Sequence, residues 1–401
     1  QQLTLQMTHA LSDRIKSLPV SQTLAMAAKA RELKNEGKDI ISLSLGEPDF
    51  NTPDFIKDAA IEAINQNYSS YTPVDGYVEL KEAICTKFKR DNNLTYLPNQ
   101  IIVSTGAKQS IANVAQVLLN PGDEVILPAP YWVSYSAIAT LCEAKYVEIH
   151  STIDTDFKIT PAQLEEAITP KTKMIFFNSP NNPSGTIYTE EEYRALAKVL
   201  EKHPQIYILS DEIYEHINYG VKHFSFAAIE NMFDRTITVN GLAKAFAMTG
   251  WRIGYLGAPE WIVKAWTKMQ GQITSGTNCI AQRAAITAVL ADPEKVQYMV
   301  DQFKTRRDLV LNLLGKIDGL KLNVPDGAFY VFPDVSFFFG KTIKGKQIKD
   351  ANDFSMLLLE EANVATVTGD AFGAPECIRL SYAASELQLR EAIKRIATVL
   401  N

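Results

Sequence analysis

The chain has little of what marks a secreted, membrane-spanning or nucleic-acid-binding protein. Its 401 residues include four cysteines, Cys85, Cys142, Cys279 and Cys377, far apart and with no CxxC pair. That spacing offers neither a disulfide framework nor a zinc site, so reduced thiols, a cytoplasmic setting and no bound metal are expected. No apolar run approaches the ~20 residues of a membrane span. Dense basic runs are missing and the net charge is −6, which gives nucleic acid no electrostatic hold. The polar start, residues 1–6, lacks the hydrophobic region of a secretory signal, and Met7 is a candidate native start. There is no internal repeat and no low-complexity linker. What remains is 46% hydrophobic and 21% charged residues, an ordinary globular balance with length for one large and one small domain.

The apolar pattern divides the chain in order. Ser21 is placed to cap a helix through Leu24, Ala27, Ala28 and Leu33, stopped at Gly37. Residues 40–45 read as a short strand ending in Gly46-Glu47-Pro48-Asp49. Thr52-Pro53 then opens a helix as cap and first-turn proline. Residues 68–76 form a turn-rich loop with Tyr68 and Tyr71, and a further helix runs through Leu80, Ile84 and Phe88. From residue 101 apolar strands alternate with amphipathic helices, with strands expected at 101–104, 124–127, 145–149, 174–177, 207–209, 236–239 and 253–256. This alternation predicts an α/β fold, a mostly parallel sheet covered by helices, with ligands beyond the carboxyl ends of the strands. Those ends carry Thr105-Gly106, Pro130-Tyr131-Trp132, Asn178-Ser179-Pro180, Ser210-Asp211 and Asn240-Gly241, as for one shared site. After residue 291 a long helix to Leu314, strands at 327–332 and 377–381, and a last helix with a Ser385/Gln388 capping box read as a smaller α+β domain. The expected division is 51–290 for the large domain and 291–401 for the small one, joined by the N-terminal segment 1–50.

The chemistry centres on residues 240–254. Lys244 sits among small and apolar residues, where an ammonium loses hydration and its pKa falls. The neutral amine can condense with an aldehyde. Arg252, between Gly250 and Gly254, offers a guanidinium for a phosphate dianion where the backbone can approach closely. Lysine for an aldehyde with arginine for a phosphate is what pyridoxal 5′-phosphate requires, although a lysine on an ordinary Ala-rich turn would look the same locally. Asp211, ending a strand, can hold a ring nitrogen protonated or cap a helix. Tyr214 can donate to a ring oxygen. Asn182 lies in Asn-Ser-Pro-Asn-Asn-Pro-Ser-Gly, a loop fixed by prolines, with its amide free to donate. Thr105-Gly106-Ala107-Lys108 opens a helix whose free N–H groups can receive phosphate. Trp132 can stack on a ring or fill core. Arg379 needs an anion, either a substrate carboxylate or a structural partner.

In this order the segments Gly46-Glu47-Pro48-Asp49-Phe50, Pro130-Tyr131-Trp132, 178–185, Ser210-Asp211-Glu212-Ile213-Tyr214, the lysine stretch and 377–383 are those of a known family. From about Ser21 to the C-terminus the chain resembles the fold-type I pyridoxal-phosphate enzymes of the aspartate aminotransferase family. The resemblance implies that Lys244 forms the imine with the cofactor, Asp211 pairs with the pyridine nitrogen, and Asn182 and Tyr214 bond the ring oxygen. It implies Trp132 on the ring, with Arg252, Gly106, Ala107 and Lys108 at the phosphate loop. Tyr71 would reach the phosphate of the other subunit of a homodimer. Arg379, helped by Gly46, would bind the substrate α-carboxylate. Two departures stand out: Ala243 and Gly241 occupy positions where many relatives have serine. No arginine around 271–282 matches the distal-carboxylate binder of one branch. Lys108 matches the lysine that replaces it in another, with Ser21 and Thr23 as supporting hydroxyls. The expected activity is ping-pong amino transfer between L-aspartate and 2-oxoglutarate, small-molecule partners only. Aromatic, alanine or prephenate transfer is the alternative, then a lyase or synthase on the same fold. A regulatory module fused to a DNA-binding domain would need a helix-turn-helix for which the first ~50 residues leave no room.

Overall fold

A computed structural model describes residues 9–21 and 23–401. Met7, read as a candidate start, lies outside the described residues. Seven strands form the central sheet: β2 (Ile101–Ser104), β3 (Glu124–Pro128), β4 (Lys145–Ile149), β5 (Thr172–Asn178), β6 (Tyr207–Asp211), β7 (Thr236–Gly241) and β8 (Gly254–Gly257), in the order β2-β8-β7-β6-β5-β3-β4. A two-residue β1, Ile41–Ser42, precedes them and lies elsewhere. All neighbours in the large sheet run parallel except β8, which is antiparallel to both β2 and β7.

Apart from the edge strand β4, which is exposed over most of its length, the sheet is buried on both faces, and its sequence alternation sorts side chains between them. Val125, Leu127, Met174 and Phe176 point to one layer, with Ile111, Val114, Leu118 and Trp266. Ile126, Ile175 and Phe177 point to the other, with Tyr193, Leu196 and Leu200. The spacing of Ile111, Val114, Ala115 and Leu118 puts them on one stripe of the helix Ala107–Leu118. Each such large side chain contributes about 1.5–3 kcal/mol on burial, so the sheet is a rigid base for its carboxyl ends.

The C-terminal part packs a small antiparallel sheet, with Ile378–Ser381 between Val367–Thr368 and Tyr330–Val331, against the helices Gln297–Leu314, Ala351–Ala362 and Glu386–Leu400. Here β1 pairs in parallel with Val364–Ala365, which brings residues 41–46 alongside Arg379. Among the described residues no helix is long and apolar enough to cross a membrane.

Several local expectations are corrected. Thr23, not Ser21, is the N-cap of the helix Leu24–Asn35, and it makes no side-chain capping bond. The strand expected at 40–45 pairs over Ile41–Ser42 only, because its partner is itself two residues long. Pro53 is the N-cap of Asp54–Asn65, and the Thr52 hydroxyl instead donates to the Ala247 carbonyl at 2.6 Å. Of the Ser385/Gln388 box only one half forms, Gln388 N donating to Ser385 Oγ. The sequence pattern cannot distinguish a cap from a hydroxyl drawn into a tertiary bond.

Candidate active site

The ends of β5, β6 and β7, the β2–helix turn and the small sheet converge on one cavity of about 890 Å³. Its lining includes Gly46, Ala107, Lys108, Trp132, Asn182, Asp211, Tyr214, Lys244, Arg252, Arg379 and Thr23, residues spread over most of the chain.

Lys244 donates to the carbonyl of Gly46, a contact that holds the amine in place. Burial, then the charges of Arg379 and Arg252, bring its pKa down to about 8, against the pull of Glu47 and Asp211. Near neutral pH a usable fraction of the amine is therefore uncharged. Asp211 is buried at the end of β6; Tyr135 Oη donates to its Oδ2 at 2.6 Å, and Ile213 N to its Oδ1 at 3.3 Å. Burial pushes its carboxyl up to about 6, opposed chiefly by the Tyr135 bond. A buried carboxylate held there has a strong preference for a cationic partner. No helix follows β6, so Asp211 is not a helix cap. Tyr214 shares a 2.8 Å hydrogen bond with Tyr330, hydroxyl to hydroxyl. Burial, then Tyr330, keep its phenol well above the ordinary value and so neutral.

Arg379 projects into the cavity from the small sheet. Its Nη1 donates to Asn182 Oδ1 at 2.9 Å and its Nη2 to the Ser44 carbonyl at 2.8 Å. The guanidinium lies over the Tyr330 ring at 4.4 Å. Its buried Nε has no partner among the described residues. Neither bond is to a carboxylate, so among the described residues no structural salt bridge forms and the charge is available to an anion. Asn182 is fixed in turn by its backbone N–H, donated to Asn178 Oδ1 at 2.8 Å.

At the other side Gly106 N-caps the helix Ala107–Leu118 with φ +83°. A Cβ there would lie 2.2 Å from Arg252 Nη2, and a Cβ on Gly254 would lie 2.5 Å from the Ala107 nitrogen. The glycines thus let the arginine and the helix N-terminus share one small space, a built anion cradle. Arg252 itself has φ +53°, a strained left-handed conformation of the kind kept at functional sites. Its Nη1 donates to the Thr249 carbonyl at 2.9 Å. Lys108 is exposed, with its ammonium 4.9 Å from the Trp132 ring centre. Burial, then Arg252, lower its pKa. Trp132 is half-buried: it lines the cavity and also packs against the core layer that contains Tyr135. The Ser21 and Thr23 hydroxyls, 2.6 Å apart, line the same cavity.

Tyr71 is 97% exposed and does not reach the cavity of its own chain. Tyr135 and Tyr330 escaped the sequence reading. Tyr330 sits inside an apolar strand pattern, and Tyr135 follows Trp132 by three residues with no local sign that it meets Asp211. The donor set fits a group that offers an aldehyde to Lys244, a basic ring nitrogen to Asp211 and a dianion to Arg252 and the helix N-terminus.

A lysine with a depressed pKa near a buried aspartate, at the carboxyl ends of a mostly parallel sheet, is a site suited to a carbonyl compound in an α/β fold. The family described as aminotransferase class I and II matches residues 38–396, and the chain belongs to it. A relative from Rhizobium leguminosarum bv. phaseoli, named probable aspartate/prephenate aminotransferase, is 49% identical over 96% of this chain and 97% of its own. The aspartate aminotransferase of Rhizobium meliloti strain 1021 is 47% identical over 96% and 95%. Among solved structures, that of the Rhizobium meliloti aspartate aminotransferase superposes with a TM-score of 0.96 at 46% identity, covering 98% of this chain and 99% of its own. The Thermus thermophilus aspartate aminotransferase with maleate gives 0.90 at 42%, covering 98% and 100%. The fold is that of these aminotransferases, fold type I.

Proposed function

We propose that this aminotransferase uses pyridoxal 5′-phosphate to exchange the amino group between L-aspartate and 2-oxoglutarate, giving oxaloacetate and L-glutamate. The observation that carries it is the pair of cations on one cavity: Arg379, with no acidic partner among the described residues, and Lys108 over Trp132. A dicarboxylic substrate satisfies both. The maleate in the Thermus relative's structure, itself a dicarboxylate, supports this choice, as do the relatives' names.

The cofactor's pyridinium ring supplies the electron sink for bond breaking at the substrate Cα. Asp211 holds the ring nitrogen, with Tyr135 fixing the carboxylate. Asn182 and Tyr214 donate to the ring oxygen, and Trp132 covers the ring. Arg252 and the N–H groups of Gly106, Ala107 and Lys108 take the phosphate. Arg379 forks onto the substrate α-carboxylate, which also engages the Asn182 amide, near Gly46. Lys244, as the neutral amine, would hold the cofactor's aldehyde carbon and, when free, would take the substrate Cα proton as general base. Thr23 and Ser21 support the distal carboxylate at Lys108. The same reading takes the protein as a homodimer in which Tyr71 completes the partner's phosphate site, and divides the chain at residues 50 and 290. A cytoplasmic location belongs to it too, supported by four unpaired cysteines.

The test is kcat/KM for aspartate, alanine and phenylalanine in the wild type, Lys108→Ala and Arg379→Ala. Losing Lys108 removes one charge-assisted bond of about 1.5–3 kcal/mol from aspartate alone, roughly a 10- to 150-fold drop. Arg379→Ala depresses all three. An equal drop for all three in Lys108→Ala ends the dicarboxylate assignment but leaves the cofactor assignment standing. A second reading, prephenate as acceptor, is favoured by the apolar lining from Met26, Leu45, Val133 and Phe372, more than aspartate needs. Prephenate belongs in the same panel.

A further inference from the structure

Behind the site lies a buried polar cluster that the chemistry above does not use. Glu215, the residue after Tyr214, is buried, and its carboxylate accepts from three side chains on two elements. Its Oε1 accepts from Lys87 and from Asn240 Nδ2, the latter at 2.7 Å. Its Oε2 accepts from Asn92 Nδ2 at 2.7 Å. Lys87, also buried, donates to Asn92 Oδ1 at 2.7 Å. Asn240 closes the chain of bonds: its Oδ1 accepts from the N–H of Gly241 at 2.8 Å. Glu212 and His223 adjoin the cluster through Ser225, which donates to Glu212 at 2.6 Å and accepts from Asn92 at 2.9 Å.

The placement gives the cluster a task. The β6–β7 ladder ends with Asp211 beside Val239, followed by one more bond, Glu212 N to the Val239 carbonyl. Beyond it the β6 chain leaves the sheet carrying Tyr214, while β7 stays paired with β8 through Asn240 and Gly241 before leading to Lys244. From there the Glu215–Asn240 bond ties them side chain to side chain. Helix Val78–Asn92 supplies the fixed base through Lys87 and Asn92. A buried ion pair is a poor source of stability, since apolar replacements of the same volume are often as stable. A carboxylate is nonetheless required by the donors it faces: glutamine has one acceptor oxygen and would turn an amide N–H toward another donor.

We propose that Glu215, anchored by Lys87 and Asn92, is a positioning residue that sets the Asp211–Tyr214 turn against the Asn240–Lys244 segment, and so fixes the lysine relative to the ring-binding residues. This rests on the pyridoxal-phosphate reading.

The experiment compares holoenzymes of the wild type, Glu215→Gln, Asn240→Ala and the double variant Lys87→Met/Glu215→Leu. The measurements are thermal unfolding with and without pyridoxal phosphate, cofactor affinity, the pH midpoint of the bound cofactor's visible absorption, and kcat and KM for aspartate. Misplacing a reacting group by about 1 Å costs up to about 100-fold. The expected result is a kcat roughly 10- to 100-fold lower in all variants, KM within about threefold, and a shifted absorption midpoint. The double variant should recover thermal stability without recovering kcat. If folded variants keep the wild-type midpoint and kcat while losing only thermal stability, the cluster is merely structural and the proposal falls. Should Glu215→Gln fail to fold, Asn240→Ala cuts the same tie from the other end and decides alone. A wild type that binds no pyridoxal phosphate would instead overturn the underlying reading, so the two failures are distinguishable.

Discussion

Lys244 shows how much a single residue owes to its surroundings. Its apolar sequence neighbours already imply a weakened ammonium, but one of the charges that lower it, Arg379, comes from the distant small sheet, while Arg252 follows eight residues later. Against the ordinary value of 10.5, the folded pKa of about 8 means that the native apoprotein binds fewer protons than the unfolded chain between those pH values. Stability of the apoprotein from this group therefore rises as pH climbs from about 8 to 10.5 and is flat below. The same shift sets reactivity. Trapping of a simple aldehyde by borohydride, mapped to Lys244, should reach half its maximal rate near pH 8, and Lys244→Ala should show no labelling in that peptide. A half-maximum near pH 10, or labelling of another lysine, would refute the activated amine. Asp211 moves oppositely: raised to about 6 by burial, its protonated form is favoured by folding. Its contribution to apoprotein stability is present below the ordinary value of 3.8 and is lost as pH rises through about 6.

Among the elements, the junction of β2, β8 and the helix Ala107–Leu118 makes the sharpest demand on sequence. Gly254 lies in β8, antiparallel beside β2, and its missing Cβ would stand 2.5 Å from the Ala107 nitrogen and 2.7 Å from the Gly106 carbonyl carbon. Both obstacles are backbone, so a substitution must move a strand or the helix start. Gly254→Ala should cost about 1–3 kcal/mol in urea unfolding. It should also narrow the ratio of affinities for pyridoxal phosphate over pyridoxal, because the displaced N–H groups are the proposed phosphate donors. Gly250→Ala, with nothing within 4 Å of the added carbon, is the control and should change neither. An unchanged affinity ratio in a destabilised Gly254→Ala would separate this junction from phosphate binding.

For the whole molecule, Tyr71 is the telling residue, 97% exposed on a loop between two helices that also turn Ile64 and Val78 outward. Such a grouping of exposed apolar side chains fits a two-fold interface, in which each copy repeats the contact of the other. Complementation tests the shared site. Tyr71→Ala and Lys244→Ala, each crippled alone, should regain activity when subunits are mixed and allowed to reassort. One site in each mixed dimer is then intact, about a quarter of the wild-type number at random pairing. No gain on mixing, with exchange verified, would make Tyr71 a residue of its own chain or of none.

The sequence by itself determined the architecture and most of the site's membership. Strand alternation at period two and helix stripes are local properties, so all seven central strands stood in the pattern. Lys244, Asp211, Asn182, Arg252 and Arg379 each carry a local chemical signature at a strand end or glycine turn, and their order resembles one family. What the tertiary structure alone decided is pairing between distant segments. That Tyr135 holds Asp211, that Tyr330 meets Tyr214, that Thr52 bonds Ala247 instead of capping a helix, and that Glu215 gathers Lys87, Asn92 and Asn240 are facts of packing. A tyrosine or threonine in a helix or strand pattern looks the same whether its hydroxyl faces water or a buried carboxylate, because only the folded chain brings the second group within hydrogen-bond reach.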